Sequence, residues 1–107
     1  AKGFISEERV AASLLHRRAA RLGDRRIRQE LQAKGLDAPT VAQALAQLQG
    51  TELERAQAVW QRKFGGPAQE AKERARQVRF LMARGFSAEV VRRVVQRGED
   101  EAPQADV

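Results

Sequence analysis

Twelve consecutive positions, "RRAARLGDRRIR" (17 to 28), hold six arginines, Arg17, Arg18, Arg21, Arg25, Arg26 and Arg28, with Asp24 the single acid among them. Guanidinium is a planar fork of five N–H donors that stays charged at any physiological pH, so its chemistry is bidentate recognition of carboxylate or phosphate, not proton transfer. Three of the six, Arg25, Arg26 and Arg28, follow Gly23 at a helix start, where positive charge opposes the helix dipole and is mildly unfavourable. Local stability does not ask for them there, which makes the corner a candidate binding surface, with Lys34 close behind it. A second set, Arg74, Arg76, Arg79, Arg84, Arg92, Arg93 and Arg97, occupies the matching part of the second half.

Other chemistries find little support. His16 is the only histidine, and one imidazole without a nucleophile or a second ligand makes no catalytic set, so a surface or packing role is expected. The chain has no cysteine and no tyrosine, which removes a disulfide framework, a thiolate zinc site and a cysteine nucleophile. Glu7, Glu8, Glu52 and Glu54 lie at helix starts, where the macrodipole already accounts for them. "GGP" at 65 to 67 lacks the Lys and Ser or Thr of a phosphate-cradling loop. Trp60 and Phe64 could stack bases, yet their i, i+4 spacing in register with Leu53 and Ala56 reads as core. A non-enzyme with neither metal nor cofactor is expected.

The elements that position these arginines read as helices throughout, because every segment between turn signals shows spacings of 3 and 4 and none sustains alternation. The first helix is expected from Ser6, its N-cap, to Leu22, with Ala11, Leu15, Ala19 and Leu22 on one face. Asp24 is expected to cap the second, which buries Ile27 and Leu31 and stops at Gly35. Asp37 opens the third, with Pro39 in its first turn and Val41, Ala44, Leu45 and Leu48 as its stripe up to Gly50. The fourth starts at a capping box, Thr51 to Glu54, and buries Leu53, Ala56, Trp60 and Phe64. The fifth carries Ala71, Ala75, Val78, Leu81 and Met82 up to Gly85. The sixth, capped by Ser87, buries the valines of "VVRRVV" beneath exposed Arg92 and Arg93 and stops at Gly98.

Laid out in this way the chain repeats. A shift of fifty sets residues 25 to 45 on 75 to 95, matching Arg26 with Arg76, Leu31 with Leu81, Gly35 with Gly85 and Val41 with Val91; a shift of forty-six aligns Glu8 and Arg9 with Glu54 and Arg55, and Leu14 with Trp60. The expected fold class is therefore all-α, with tandem three-helix repeats forming an elongated, curved helical array: modules at 1–49 and 50–98, and an acidic, disordered tail at 99–107. Each module is small, so its faces are expected to stack on a neighbour.

The net charge of +6 is uneven: residues 1 to 35 hold nine Lys or Arg against four acids, 36 to 72 four against four, 73 to 98 seven against two, and 99 to 107 none against four. Two basic blocks around a neutral middle point to a polyanionic partner. Membrane attachment would need a bulky apolar face free for lipid, and here those faces are small and required by the core. Helix-turn-helix reading of DNA is a livelier rival, although no helix offers a clear base-reading face. With neither a long apolar run nor a charged leader before an apolar stretch, and with no cysteine, a cytoplasmic chain is expected.

The residues also resemble a known family. "GFISEERVA" (3 to 11), "GDRRIRQELQAKGL" (23 to 36) and "RQVRFLMARGFSAEVVRRVV" (76 to 95) are similar to successive signatures of the RecX family, bacterial regulators of the RecA recombinase. The likeness covers residues 3 to 96 and includes the tandem order. It implies a modular three-helix bundle, expected to act as a monomer, that lies in the groove of the RecA filament on DNA, blocks filament extension and lowers ATP hydrolysis, strand exchange and co-protease activity. Its docking surface would be Arg17, Arg18, Arg21, Arg25, Arg26, Arg28, Lys34, Arg76, Arg79, Arg84, Arg92 and Arg93, touching RecA and single- or double-stranded DNA. The competing expectation is a basic helical module that acts directly on DNA. Family members usually carry a further three-helix module ahead of these two, whereas this chain starts at Ala1, just before "GFISEE". Val10 stands where an aromatic is common.

Overall fold

The computed structural model describes residues 6 to 100, with side chains up to Gln96. Within that span the chain forms six helices: α1 (Glu7–Arg18), α2 (Asp24–Ala33), α3 (Ala38–Ala46), α4 (Glu52–Phe64), α5 (Ala71–Ala83) and α6 (Ala88–Asp100). No strand occurs among the described residues. Three helix starts follow the side chains read as caps. The Ser6 hydroxyl accepts the Arg9 amide at 3.3 Å, the Asp37 carboxylate accepts the Thr40 amide at 3.0 Å, and the Ser87 hydroxyl accepts the Val90 amide at 3.2 Å.

Other boundaries differ, each for an identifiable reason. α1 ends at Arg18, and a turn carries the chain through Leu22, which is still buried. Gly23, not Asp24, caps α2, because the Asp24 carboxylate turns to the guanidinium of Arg55. The capping box at Thr51 does not form: its hydroxyl donates to the Leu48 carbonyl at 2.6 Å and accepts from Arg55 Nε at 3.0 Å. On α5, Ala71 and Ala75 are exposed, and Gln77 is fully buried beside the expected Leu81. Its amide is satisfied on both sides, accepting from Trp60 Nε1 at 2.9 Å and donating to the Gly66 carbonyl at 3.2 Å. α6 passes Gly98 and continues to Asp100; the remainder of the expected tail, 101 to 107, lies outside the described residues.

Two separate cores result. α1, α2 and α3 close over Leu14, Leu15, Ile27, Leu31 and Val41, and α4, α5 and α6 close over Trp60, Leu81, Phe86, Val91 and Val94. The fifty-residue shift holds in three dimensions: Leu31 and Leu81 are both fully buried, and Val41 and Val91 both lie in a core. Burying a side chain the size of Leu or Phe contributes roughly 1.5–3 kcal/mol, so these repeated anchors carry much of each module's stability.

The modules do not stack apolar faces, as expected of so small a repeat, but meet end to end. The Gly23 amide donates to the Arg84 carbonyl at 2.8 Å and the Arg25 amide to the Gly85 carbonyl at 3.2 Å, so unpaired N–H groups at the start of α2 satisfy unpaired carbonyls just past the end of α5. The approach is too close for a side chain: a Cβ on Gly23 would stand 2.3 Å from the carbonyl carbon of Gly85. Gly85 also has a φ of 92°, and a Cβ there would meet that of Arg26 at 2.3 Å. From the other side, Arg55 on α4 donates to the carbonyls of Ala19 and Leu22 and pairs with Asp24, while Glu52 accepts the Asp24 amide at 3.0 Å. End-on joining gives a rod: the principal extents are 67 × 21 × 19 Å, and the radius of gyration is 16.8 Å, against about 13 Å for a compact chain of this length.

Candidate functional site

α1 and α2 carry the first arginine set to either side of the 19–23 turn, and the structure sorts it into two groups. Arg18 and Arg26 are internal braces. Arg18 grips Glu30 with two parallel hydrogen bonds, Nε to Oε1 at 2.9 Å and Nη2 to Oε2 at 2.8 Å, and Arg26 reaches the same carboxylate at 3.2 Å. The Arg18 fork holds the Glu30 carboxyl below the usual carboxylate range, with Arg26 adding to it, and Glu30 in return raises Arg18. Arg25 is also engaged, donating to the Met82 carbonyl at 3.0 Å across the joint. Arg17, Arg21, Arg28 and Lys34 are exposed and have no side-chain partner among the described residues.

The second set divides likewise. Arg93 pairs with Glu89 one turn away at 3.0 Å, Arg92 leans on Gln96, and Arg84 lies 4.9 Å from the centre of the Phe80 ring. Arg76 and Arg79 are exposed and unpartnered among the described residues, in a shallow cleft on α5 that also holds Glu70 and Glu73. The predicted residues thus fall into several places on the rod: Arg28 borders the α2–α3 groove, Arg92 the α5–α6 groove, and Arg21 and Arg84 come together at the joint.

That last meeting place holds cations which sequence reasoning missed. A groove of about 350 Å³ between the modules is lined by Arg21, Arg62, Lys63 and Arg84 around a floor of Val59 and Phe80. No carboxylate lines it. Arg62 and Lys63 had been absorbed into a neutral stretch of sequence, and only folding brings the last turn of α4 beside the first module's corner. His16 is exposed, Trp60 is buried as its spacing required, and among the described residues no cluster of acids and histidine could hold a metal ion. None of the described helices is long and apolar enough to cross a membrane.

The tandem arrangement is matched by two family models: residues 6–45 by that described as RecX, second three-helix domain, and residues 51–95 by RecX, third three-helix domain. The chain belongs to the RecX family. Similar proteins named Regulatory protein RecX include that of Leptothrix cholodnii, 54% identical over 101 residues, covering 94% of this chain and 64% of the relative. The Ralstonia pickettii protein is 47% identical over 100 residues, covering 94% and 62%, and the Pseudomonas syringae pv. tomato protein 41% over 103 residues, covering 94% and 66%. The chain therefore spans just under two thirds of the length of these RecX relatives. The boundary between the two RecX domain matches, at 45 to 51, coincides with the turn that joins α3 to α4.

Proposed function

We propose that the chain is a negative regulator of the RecA recombinase. It lies as a rod in the groove of the RecA–DNA filament, blocks extension, and so lowers recombinase, ATPase and co-protease activity in the cytoplasm. Membership of the RecX family supports a regulatory role. The observation that carries the docking reading is the set of exposed arginines the fold leaves unpaired, Arg17, Arg21 and Arg28 on the first module and Arg76 and Arg79 on the second, spaced along one elongated body. Unpaired guanidinium forks are available to acids or phosphates of a partner at no cost in broken internal pairs. Arg18, Arg26 and Arg93 already hold carboxylates of their own chain and contribute less to docking in this reading.

The test is RecA ATPase on single-stranded DNA, with and without the chain. Arg17→Glu with Arg28→Glu should relieve inhibition while leaving helical circular dichroism unchanged, and undiminished inhibition would refute the docking surface. Arg25 and Arg26 are poor choices for that test, since changing them disturbs the joint. A module acting directly on DNA is the second reading, favoured by the acid-free groove at the joint. It requires affinity for bare single-stranded DNA as high as for the filament, falling with salt at roughly 0.7 log units per phosphate contact.

A further inference from the structure

The repeat makes one exchange that nothing in its packing requires. In the first module Arg18 on α1 and Glu30 on α2 form the bidentate ion pair that also neutralises Arg26. Shifted by forty-six and fifty, those positions become Phe64 on α4 and Phe80 on α5, and the two rings meet edge to face, centres 5.4 Å apart at 86°. The second module thus keeps the contact between its first two helices but loses the ion pair, and with it the one carboxylate that could also serve neighbouring cations as Glu30 serves Arg26. The cations around it remain: Lys63 and Arg84 lie 5.3 and 4.9 Å from the centre of the Phe80 ring, Arg62 is exposed without a partner, and Arg21 enters from the first module. Elsewhere several arginines are met by an acid of the chain, Arg18 and Arg26 by Glu30, Arg55 by Asp24 and Arg93 by Glu89. Here four positive charges share about 350 Å³ with none.

We propose that this inter-module groove binds a short segment of single-stranded nucleic acid, with Arg21, Arg62, Lys63 and Arg84 on its phosphates and the Phe80–Arg84 stack and Val59 against a sugar or base. The fixed cations favour a polyanion, and the aromatic and guanidinium planes offer a π surface that a strand of bases uses and an acidic peptide does not. The size selects a single strand, because a groove of this volume, at the small end of ligand clefts, cannot seat a duplex. Since Arg21 belongs to one module and the other three cations to the next, an occupied groove also ties the joint together. The site shares Arg21 and Arg84 with the filament-docking reading, but its test contains no recombinase, so either can fail alone.

The experiment is fluorescence anisotropy of a labelled oligothymidylate titrated with the whole chain across a salt series. Four phosphate contacts predict a salt slope of roughly 2.8 on logarithmic axes, at about 0.7 per contact for a single strand. Arg62→Glu with Lys63→Glu should weaken binding at least tenfold and lower the slope by about 1.4. Arg9→Glu with Lys72→Glu changes net charge equally at sites outside the groove and should weaken binding far less. Phe80→Leu keeps an apolar residue against Phe64 and should lower affinity without changing the slope. Equal losses from the two charge-reversed pairs would overturn the proposal, as would tighter binding of polyglutamate than of the oligonucleotide in competition.

Discussion

Replacing Arg55 by alanine should do more damage than any other single change to a charged residue, because this side chain holds the two modules together. It is only 11% exposed and donates to the carbonyls of Ala19 and Leu22, two backbone acceptors left open by the turn after α1, while pairing with Asp24. A hydrogen bond from a charged donor contributes about 1.5–3 kcal/mol, so losing the two carbonyl bonds costs about 3–6 kcal/mol. The Asp24 pair adds little to this, since that carboxylate is 38% exposed and water screens it. A loss of this size is a large share of the stability of a small protein, and it falls on the joint, not on either core. Trp60, the only tryptophan, lies in the second core and reports on that module alone, whereas far-ultraviolet circular dichroism reports on both. In urea the parent's two signals should fall together, and in Arg55→Ala the dichroism should begin to fall before the fluorescence. A variant within about 0.5 kcal/mol of the parent, with its two transitions still superimposed, would refute this account of the joint.

The glycine pair gives a contrast within one molecule. Gly23→Ala sets a Cβ 2.3 Å from backbone atoms of the opposite module and should cost about 3 kcal/mol in urea unfolding, whereas Gly35→Ala, with nothing within 4 Å, meets only the strain of its φ of 81° and should cost about 1–2 kcal/mol. Acid should weaken the first module through Glu30. Its folded carboxyl lies below the ordinary range, chiefly through the Arg18 fork, so the unfolded chain binds the proton more readily; the stabilisation is complete above the ordinary carboxylate range and is lost as pH falls through the folded value. Melting temperatures from pH 6 to pH 3 should fall less steeply in Glu30→Gln than in the parent.

Much of the architecture was legible because helix-forming patterns are local. Spacings of 3 and 4 placed all six helices, the Ser6, Asp37 and Ser87 caps formed as their residue types required, and the fifty-residue shift paired Leu31 with Leu81 and Val41 with Val91, all four buried. Asp24 and Thr51 misled for one reason: a good capping side chain also makes a good partner for a guanidinium, and Arg55 claimed both. Residue type hid Gln77, because an amide belongs in a core only where a donor and an acceptor await it, here from Trp60 and Gly66; the fifty-residue shift, which sets buried Ile27 on this position, was the signal that could have found it.

What the amino-acid order determined by itself was the helical repeat, the two cores and a surplus of guanidinium at the corners, since these follow from periodicity and from charge that no fold can remove. Which of those arginines are spent on the protein's own carboxylates, and which face outward, was decided by tertiary structure. Arg18 and Glu30 stand twelve positions apart and Arg25 and Met82 fifty-seven, and Arg21 comes to share a groove with Arg62 and Lys63 only because α2 abuts the end of α5. Coulomb and hydrogen-bond energies depend on separations in space, and the end-on joint sets those separations.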